Sequence, residues 1–282
     1  EAGPDGLDVI RRLLPEAARA LRPGGAVLLE VGDGQAEAVA GLARDAGFAL
    51  VRVHKDLSQK DRIVEATLPG APVLTPDGLS EPDAAALRKA LEAGAVIGVP
   101  TDTVYGLAAR WDSPAGVRAL FAAKGRAPDQ PVAVAFASVD AVVEALPDLD
   151  AGSLKVLRSL LPGPYTFVVA TSVPRPAFVG TAASLGVRVP DCRALLALLG
   201  RLGVALAATS ANPSGAADAQ TLAEVDQAVL AHCSVAFAGQ EGGRGRASTV
   251  VDLRPLSAGG APVVLREGAV DAGEVLAHIA AL

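Results

Sequence analysis

The sequence predicts an α/β protein: a twisted, largely mixed open sheet with flanking helices, preceded by a partial doubly wound α/β unit. Three observations carry this. Apolar runs of strand length, at 26–31, 95–99 and 204–208, alternate with segments whose Leu and Ala recur at helical spacing. Gly and Pro, 30 and 20 of them, punctuate these segments. A chain of 282 residues that is 51% hydrophobic has the material for a full core, in one large domain or two.

Residues 1–68 make the first unit. Leu7, Ile10, Leu13, Leu14, Ala17, Ala18 and Leu21 share one helical face, and Pro23-Gly24-Gly25 stops that helix. Residues 26–31 read as a strand, 36–46 as a helix stopped by Gly47, and 49–54 and 61–66 as strands. Helix, strand, helix, strand, strand is the closing half of a doubly wound sheet. Residues 69–79, rich in Pro and Gly, read as a linker to a second domain at 80–282.

In the second domain Ser80 caps a helix, with Asp83 three residues on and Leu87 and Leu91 as the buried stripe. The strand at 95–99 breaks at Pro100, and Thr101, Asp102, Thr103 and Tyr105 follow, closed by Gly106. Polar side chains at the end of a buried strand can converge on a ligand outside the sheet. A helix capped by Asp112 or Ser113, with Pro114 in its first turn, ends at Gly125 between Lys124 and Arg126. These two cations either offset the helix dipole or grip phosphate. Helices at 138–146 and 153–161 lead to Pro162-Gly163-Pro164-Tyr165-Thr166 and a strand; Thr166 is a ligand contact or only a strand's first residue. Arg188 stands inside an apolar strand, where a charge needs a carboxylate partner or an anionic ligand. A helix at 193–202 precedes the strand that ends in Thr209-Ser210-Ala211-Asn212-Pro213-Ser214-Gly215, a turn that either holds oxygens of a ligand or satisfies only itself. The basic loop at 242–246 reads as solvated. Strands at 248–252 and 263–268, the latter carrying Arg266, and a helix capped by Asp271 complete the chain.

Composition removes several function classes. A net charge of -6 argues against a broad face for nucleic-acid backbone. Cys192 and Cys233 form no CxxC, and His54, His232 and His278 have no ligand spacing, so neither structural zinc nor a disulfide framework is expected, and no metal-ligating set. Reduced thiols suit a cytoplasmic protein. No apolar run is long enough to span a bilayer, and no signal peptide opens the chain. The chain holds no Met and begins with Glu1, so residues upstream are expected. There is no Ser-His-Asp set, no paired-carboxylate signature and no GxxxxGK[ST] loop. Cations and hydroxyls without evident bases suit an anionic ligand and chemistry driven by positioning and charge stabilisation.

Two resemblances follow. Gly6-Leu7-Asp8, Arg22-Pro23-Gly24-Gly25, Glu30-Val31-Gly32, Gln35, Gly47-Phe48, Lys55-Asp56-Leu57 and Asp61-Arg62 resemble the C-terminal half of the release-factor glutamine methyltransferases. That family's Gly-rich cofactor loop and Asn-Pro-Pro-Tyr motif do not occur here, so no methyl transfer is implied. From Leu79 to Leu282 the chain resembles the threonylcarbamoyl-AMP synthases, the YrdC or Sua family. The matching pieces, in order, are Pro100-Thr101-Asp102-Thr103-Val104-Tyr105-Gly106-Leu107, Lys124-Gly125-Arg126, Pro162-Gly163-Pro164-Tyr165-Thr166, Val187-Arg188-Val189-Pro190, Ser210-Ala211-Asn212-Pro213-Ser214-Gly215, Ser248-Thr249-Val250-Val251-Asp252 and Leu265-Arg266-Glu267-Gly268.

This second resemblance implies a YrdC-like sheet and a cytoplasmic nucleotidyltransferase. Such an enzyme joins L-threonine, bicarbonate or CO2, and ATP with Mg2+ into threonylcarbamoyl-AMP and pyrophosphate. The product feeds the t6A transferase machinery that modifies position 37 of tRNA. By motif, Lys124, Arg126, Gln130, Ser210, Asn212 and Arg266 would hold ATP. Thr103, Tyr105, Thr166, Arg188 and Ser248 would surround threonine and the carbamate, and Lys124, Arg126 and Arg188 would be the catalytic cations. The resemblance assigns no oligomeric state. The chain departs from the family pattern at Gln130 for Asn, and at Ala135 and Cys192 for two His. Two alternatives stay open: a non-catalytic nucleotide- or RNA-binding paralogue, and a regulatory appendage of a protein-glutamine methyltransferase.

Overall fold

The computed structural model describes all residues except 1, 2, 4, 23, 49, 69, 126–130, 213, 214 and 240–242, and the backbone alone of Leu50. The chain falls into two compact units, Glu1–Pro72 and Val73–Leu282.

The first unit runs α1 (Asp8–Ala20), β1 (Ala26–Glu30), α2 (Ala36–Asp45), β2 (Leu50–Lys55) and β3 (Asp61–Thr67). Its sheet has the order β1-β3-β2. β1 and β2 are joined through α2 and run parallel, but the last strand is reversed and sits between them, antiparallel to both. The turn after β2 explains the reversal. Asp56 Oδ1 accepts the backbone N–H groups of Ser58 and Lys60, and Gln59 takes φ +64, so the chain doubles straight back. The core is Leu7, Val31, Val39, Ala40 and Val64 at one end, and Leu14, Ala43, Phe48 and Ala66 at the other.

The second unit begins inside the expected linker. Val73–Leu74 forms β4, which pairs in parallel with β11 (Val235–Phe237), and Leu79 is buried in the core. Pro and Gly describe the local backbone of this stretch correctly, but its pairing partner lies far downstream. Next come α3 (Glu81–Glu92), β5 (Val96–Val99), β6 (Gly106–Arg110), α4 (Pro114–Lys124), β7 (Ala133–Ala135), α5 (Val139–Ala145), α6 (Ala151–Leu160), β8 (Tyr165–Ala170), β9 (Ser184–Arg188), α7 (Arg193–Leu202) and β10 (Leu206–Ser210). After β10 come α8 (Gln227–Leu230), β11, β12 (Thr249–Asp252), β13 (Val263–Arg266) and α9 (Ala272–Ala280). Ser80, Ser113, Ser138 and Asp271 cap their helices as the spacing predicts, each accepting an N–H of the first turn.

These strands make one mixed sheet of ten, ordered β13-β12-β8-β9-β7-β10-β6-β5-β11-β4 among the described residues. The sheet mixes parallel pairs (β12 with β8, β7 with β9, β5 with β11 with β4) and antiparallel ones, the latter including the run β7-β10-β6-β5. Period-two alternation in the central strands separates two faces. Phe167, Val169, Leu185, Val187, Val134 and Ala207 are fully buried. The alternate positions, Thr166, Val168, Ser184, Gly186, Arg188, Ala133, Ala208 and Ser210, line a cavity. Among the described residues no helix is long and apolar enough to cross a membrane.

Candidate functional site

The cavity holds about 330 Å³. Its floor is clear because the strands there place their smallest residues side by side. A Cβ added at Gly186 would meet Thr166 Cγ2 at 3.2 Å and Ala133 Cβ at 3.3 Å, so the sheet surface is already close-packed at glycine size. Any larger side chain at 186 has only the cavity to enter.

Among the described residues three cations reach this space: Lys124, Arg188 and Arg266. Hydroxyls of Thr101, Thr103, Thr166, Thr209, Ser210 and Ser248 share the walls, and no carboxylate or imidazole does among the described residues. Lys124 is the last residue of α4, just before Gly125, whose φ of +60 ends the helix. It is only 8% exposed. Its Nζ donates to Thr209 Oγ1 at 3.2 Å, Ser210 Oγ at 3.0 Å and Asn212 Oδ1 at 3.4 Å. Asn212 is itself fixed, its Nδ2 donating to the Ala216 carbonyl at 2.6 Å. The helix-end lysine and the strand-end Ser-Ala-Asn turn therefore form one cluster, of which Asn212 is the back wall. Hydroxyl and amide oxygens of three residues thus fix the position of the buried Lys124 Nζ at this end of the cavity.

At the other end, Thr166 Oγ1 and Ser248 Oγ lie 2.7 Å apart, joining β8 to the start of β12. Arg266 Nη2 donates to the Ser248 carbonyl at 2.9 Å. Arg188, at the end of β9, donates from Nη2 to Asp102 Oδ1 at 3.0 Å and to Thr103 Oγ1 at 3.2 Å. Burial depresses the Arg188 pKa from its ordinary value, the Asp102 carboxylate opposes that, and the neighbouring Arg266 charge adds to it. Burial likewise pushes the Asp102 carboxyl up, against the pull of Arg188 and of the Asp191 N–H.

Among the residues expected at a site, Lys124, Thr103, Thr166, Arg188, Ser210, Ser248 and Arg266 all line this one cavity. Arg126 and Gln130 lie outside the described residues, as does the Pro213-Ser214 part of the turn. Tyr105 is a correction. It is 2% exposed, its hydroxyl donates to the Phe237 carbonyl at 2.9 Å, and it packs against Gly98 on β5 without reaching the cavity. The basic loop expected to be solvated is also pinned in its described part. The Arg244 and Gly245 N–H groups donate to the carbonyls of Asp102 and Thr103, and a Cβ at Gly243 would stand 2.1 Å from the Thr103 oxygen. A glycine that admits such close backbone approach was the available signal. Ala135 is buried at 3% beside Arg188 in register, and Cys192 precedes α7 with its thiol raised by burial. Among the described residues no group of three His, Cys, Asp or Glu could hold a metal ion.

The family model Sua5_yciO_yrdC, described as "Telomere recombination", matches residues 89–268. A Vibrio vulnificus protein named threonylcarbamoyl-AMP synthase is 32% identical over 170 residues, covering 59% of this chain and 91% of the relative. The crystal structure of P. abyssi Sua5 complexed with L-threonine superposes with a TM-score of 0.62 at 28% identity, over 70% of this chain and 57% of that one. Separately, 69 residues, 24% of the chain, are 52% identical to a quarter (25%) of the release factor glutamine methyltransferase of Cereibacter sphaeroides.

Proposed function

Because the chain belongs to the Sua5/YciO/YrdC family, we propose that its second unit is an L-threonylcarbamoyladenylate synthase, a nucleotidyltransferase that makes threonylcarbamoyl-AMP and pyrophosphate from L-threonine, bicarbonate or CO2, and ATP. The observation that carries this reading is a cavity with Lys124, Arg188 and Arg266 in its walls and no described carboxylate there. The ATP phosphates, the threonine carboxylate and the carbamate formed from CO2 present negative charge to it, and the product is a mixed anhydride whose formation needs that charge stabilised.

In this reading Lys124 and Arg266 take phosphate oxygens of ATP, and Ser210 and the Asn212 turn hold Lys124 at that end. Arg188 takes the threonine carboxylate. Thr103, Thr166 and Ser248 offer hydroxyls to threonine and to the carbamate. The threonine amine, unprotonated, adds through its lone pair to the CO2 carbon as one C=O π bond breaks, and its surplus proton passes to water, giving the carbamate. A carbamate oxygen then attacks the α-phosphorus, the bond to the β-phosphate oxygen breaks, and pyrophosphate leaves with the electron pair. The cations neutralise charge that grows on the leaving group, which costs no reorganisation because Lys124 is already held in place. Mg2+ would be carried by the triphosphate oxygens, since the described walls supply hydroxyls and cations rather than a carboxylate cage, and it would add charge neutralisation. The product would serve t6A formation on tRNA.

The test is pyrophosphate release by the full chain with ATP and Mg2+, with and without L-threonine and bicarbonate. Release that requires both establishes the reading. ATP binding without threonine-dependent release replaces it with a nucleotide-binding role.

A further inference from the structure

Asp102 has no role in the site as built so far, yet its position is unusual. Its Oδ1 accepts from Arg188 Nη2 at 3.0 Å, and its Oδ2 accepts the backbone N–H of Asp191 at 3.1 Å. The two side chains are 5% and 14% exposed. Asp102 lines a second, larger cavity of about 810 Å³, to whose walls Arg188 does not contribute, while Arg188 lines the first. The pair is therefore part of the partition between two spaces, anion-binding on one side and open on the other. Arg188 Nε is buried with no hydrogen-bond partner among the described residues. An unmatched buried N–H is unfavourable, and a ligand oxygen would satisfy it.

We propose that Asp102 is a positioning residue: by gripping one terminal nitrogen of Arg188 from outside the cavity, it fixes the guanidinium and leaves the remaining N–H groups for a ligand carboxylate. Three features support this over a merely structural ion pair. The grip is monodentate, on Nη2 alone, so it does not use up the donor fork. Asp102 is itself held by a backbone N–H from the turn that follows β9, so it cannot follow a ligand inward. Thr103, which lines the cavity, shares the same Nη2 and completes the clamp. A long arginine fixed before binding spares the ligand the cost of ordering that side chain. The inference rests on the proposed synthase reading in one respect only, that the carboxylate is that of L-threonine.

The experiment has two arms. In the first, arginine side chains are labelled with 15N in the full chain, and the Arg188 signals, assigned by their loss in Arg188→Lys, are followed in wild type, Asp102→Asn and Asp102→Ala. Slow guanidinium rotation in wild type that becomes fast averaging in Asp102→Ala is expected. Unchanged rotation overturns the proposal. In the second arm, KM for L-threonine rises roughly tenfold or more in Asp102→Ala, with KM for ATP within about threefold of wild type. Asp102→Asn, which keeps one oxygen acceptor, falls between. Equal movement of both KM values, or a lowered Tm with neither moved, assigns Asp102 a structural role and overturns the proposal. Absence of threonine turnover in wild type strikes the synthase reading alone, because the rotation arm still decides whether Asp102 holds Arg188.

Discussion

The Lys124 ammonium lies 3.0 Å from the Ser210 hydroxyl, 86 residues away in sequence, and this contact ties the end of α4 to the end of β10 across the cavity. Both ends are helix or strand termini, so regular elements of the sheet and its flanking layer set the distance between them.

Replacing Lys124 by Met keeps the stem and removes the charge. Turnover should fall by about 10²-fold or more, as for other lost transition-state contacts to developing anions. Thermal stability should change little, because Met keeps the packed stem while the desolvation of the ammonium and its bonds to Thr209, Ser210 and Asn212 are removed together. Pyrophosphate release and a melting curve on the same preparation check both halves. A variant that melts early would show the cluster to be structural.

Gly186→Val tests the cavity floor. Gly186 is not among the residues with positive φ, so a side chain there brings crowding and not backbone strain. With Thr166 and Ala133 already at contact distance, the two methyls must project into the space meant for ligand. The variant should fold and lose most substrate binding. Calorimetric titration with ATP and with L-threonine reads the outcome, and unaltered affinity for both would move the ligand away from this floor.

The segment 171–184 carries Gly180 and Ser184 into the cavity wall, and it is built around two side chains. Arg175 donates to the carbonyls of Val173, Val179, Thr181 and Ser184, with no carboxylate among these partners. Asp148 accepts from the Ser172 N–H and from the hydroxyls of Thr171 and Ser172. These bonds, the Ser172 N–H first, hold the Asp148 carboxyl below its usual range. A depressed carboxyl contributes to the folded segment above its unfolded pKa and loses that contribution as pH falls through the folded value. Pepsin should therefore cut within 171–184 faster as pH drops below about 4, where an ordinary Asp titrates. Asp148→Asn should be cut faster already at pH 5 and show little further change. Cleavage independent of pH in wild type would remove Asp148 from this role.

Much of the site was legible because its residues stand where apolar runs stop. Lys124, Arg188, Ser210 and Arg266 each end a helix or strand, and each is polar against an apolar background. Tyr105 was not legible. Two-residue alternation puts Thr103 and Tyr105 on one side of an extended chain, but Thr101 Oγ1 accepts the N–H groups of both Thr103 and Val104 and folds the backbone into a turn, so the parity is lost. Asp102 was visible as a polar residue, but its meaning depends on Arg188, far along the chain, and no local pattern reports that. The sheet order escaped for the same reason. Apolar periodicity finds strands, while the insertion of β3 between β1 and β2, and of β11 between β5 and β4, is decided by turns and crossovers.

That last insertion bears on how the protein is made. β4 has no described neighbour except β11, so Val73 and Leu74 leave the ribosome well before the strand they pair with, and they stay unmatched until Phe237 has been synthesised. The cavity is later still. A nascent chain that has reached Asn212 already owns the Lys124 cluster, but Ser248 and Arg266 come from strands translated near the end. Translation thus separates the two ends of the site in time, and stalling between residues 213 and 234 would leave a half-built pocket whose sheet has two open edges, β5 waiting for β11 and β8 for β12, exposed to chaperones or to wrong strands.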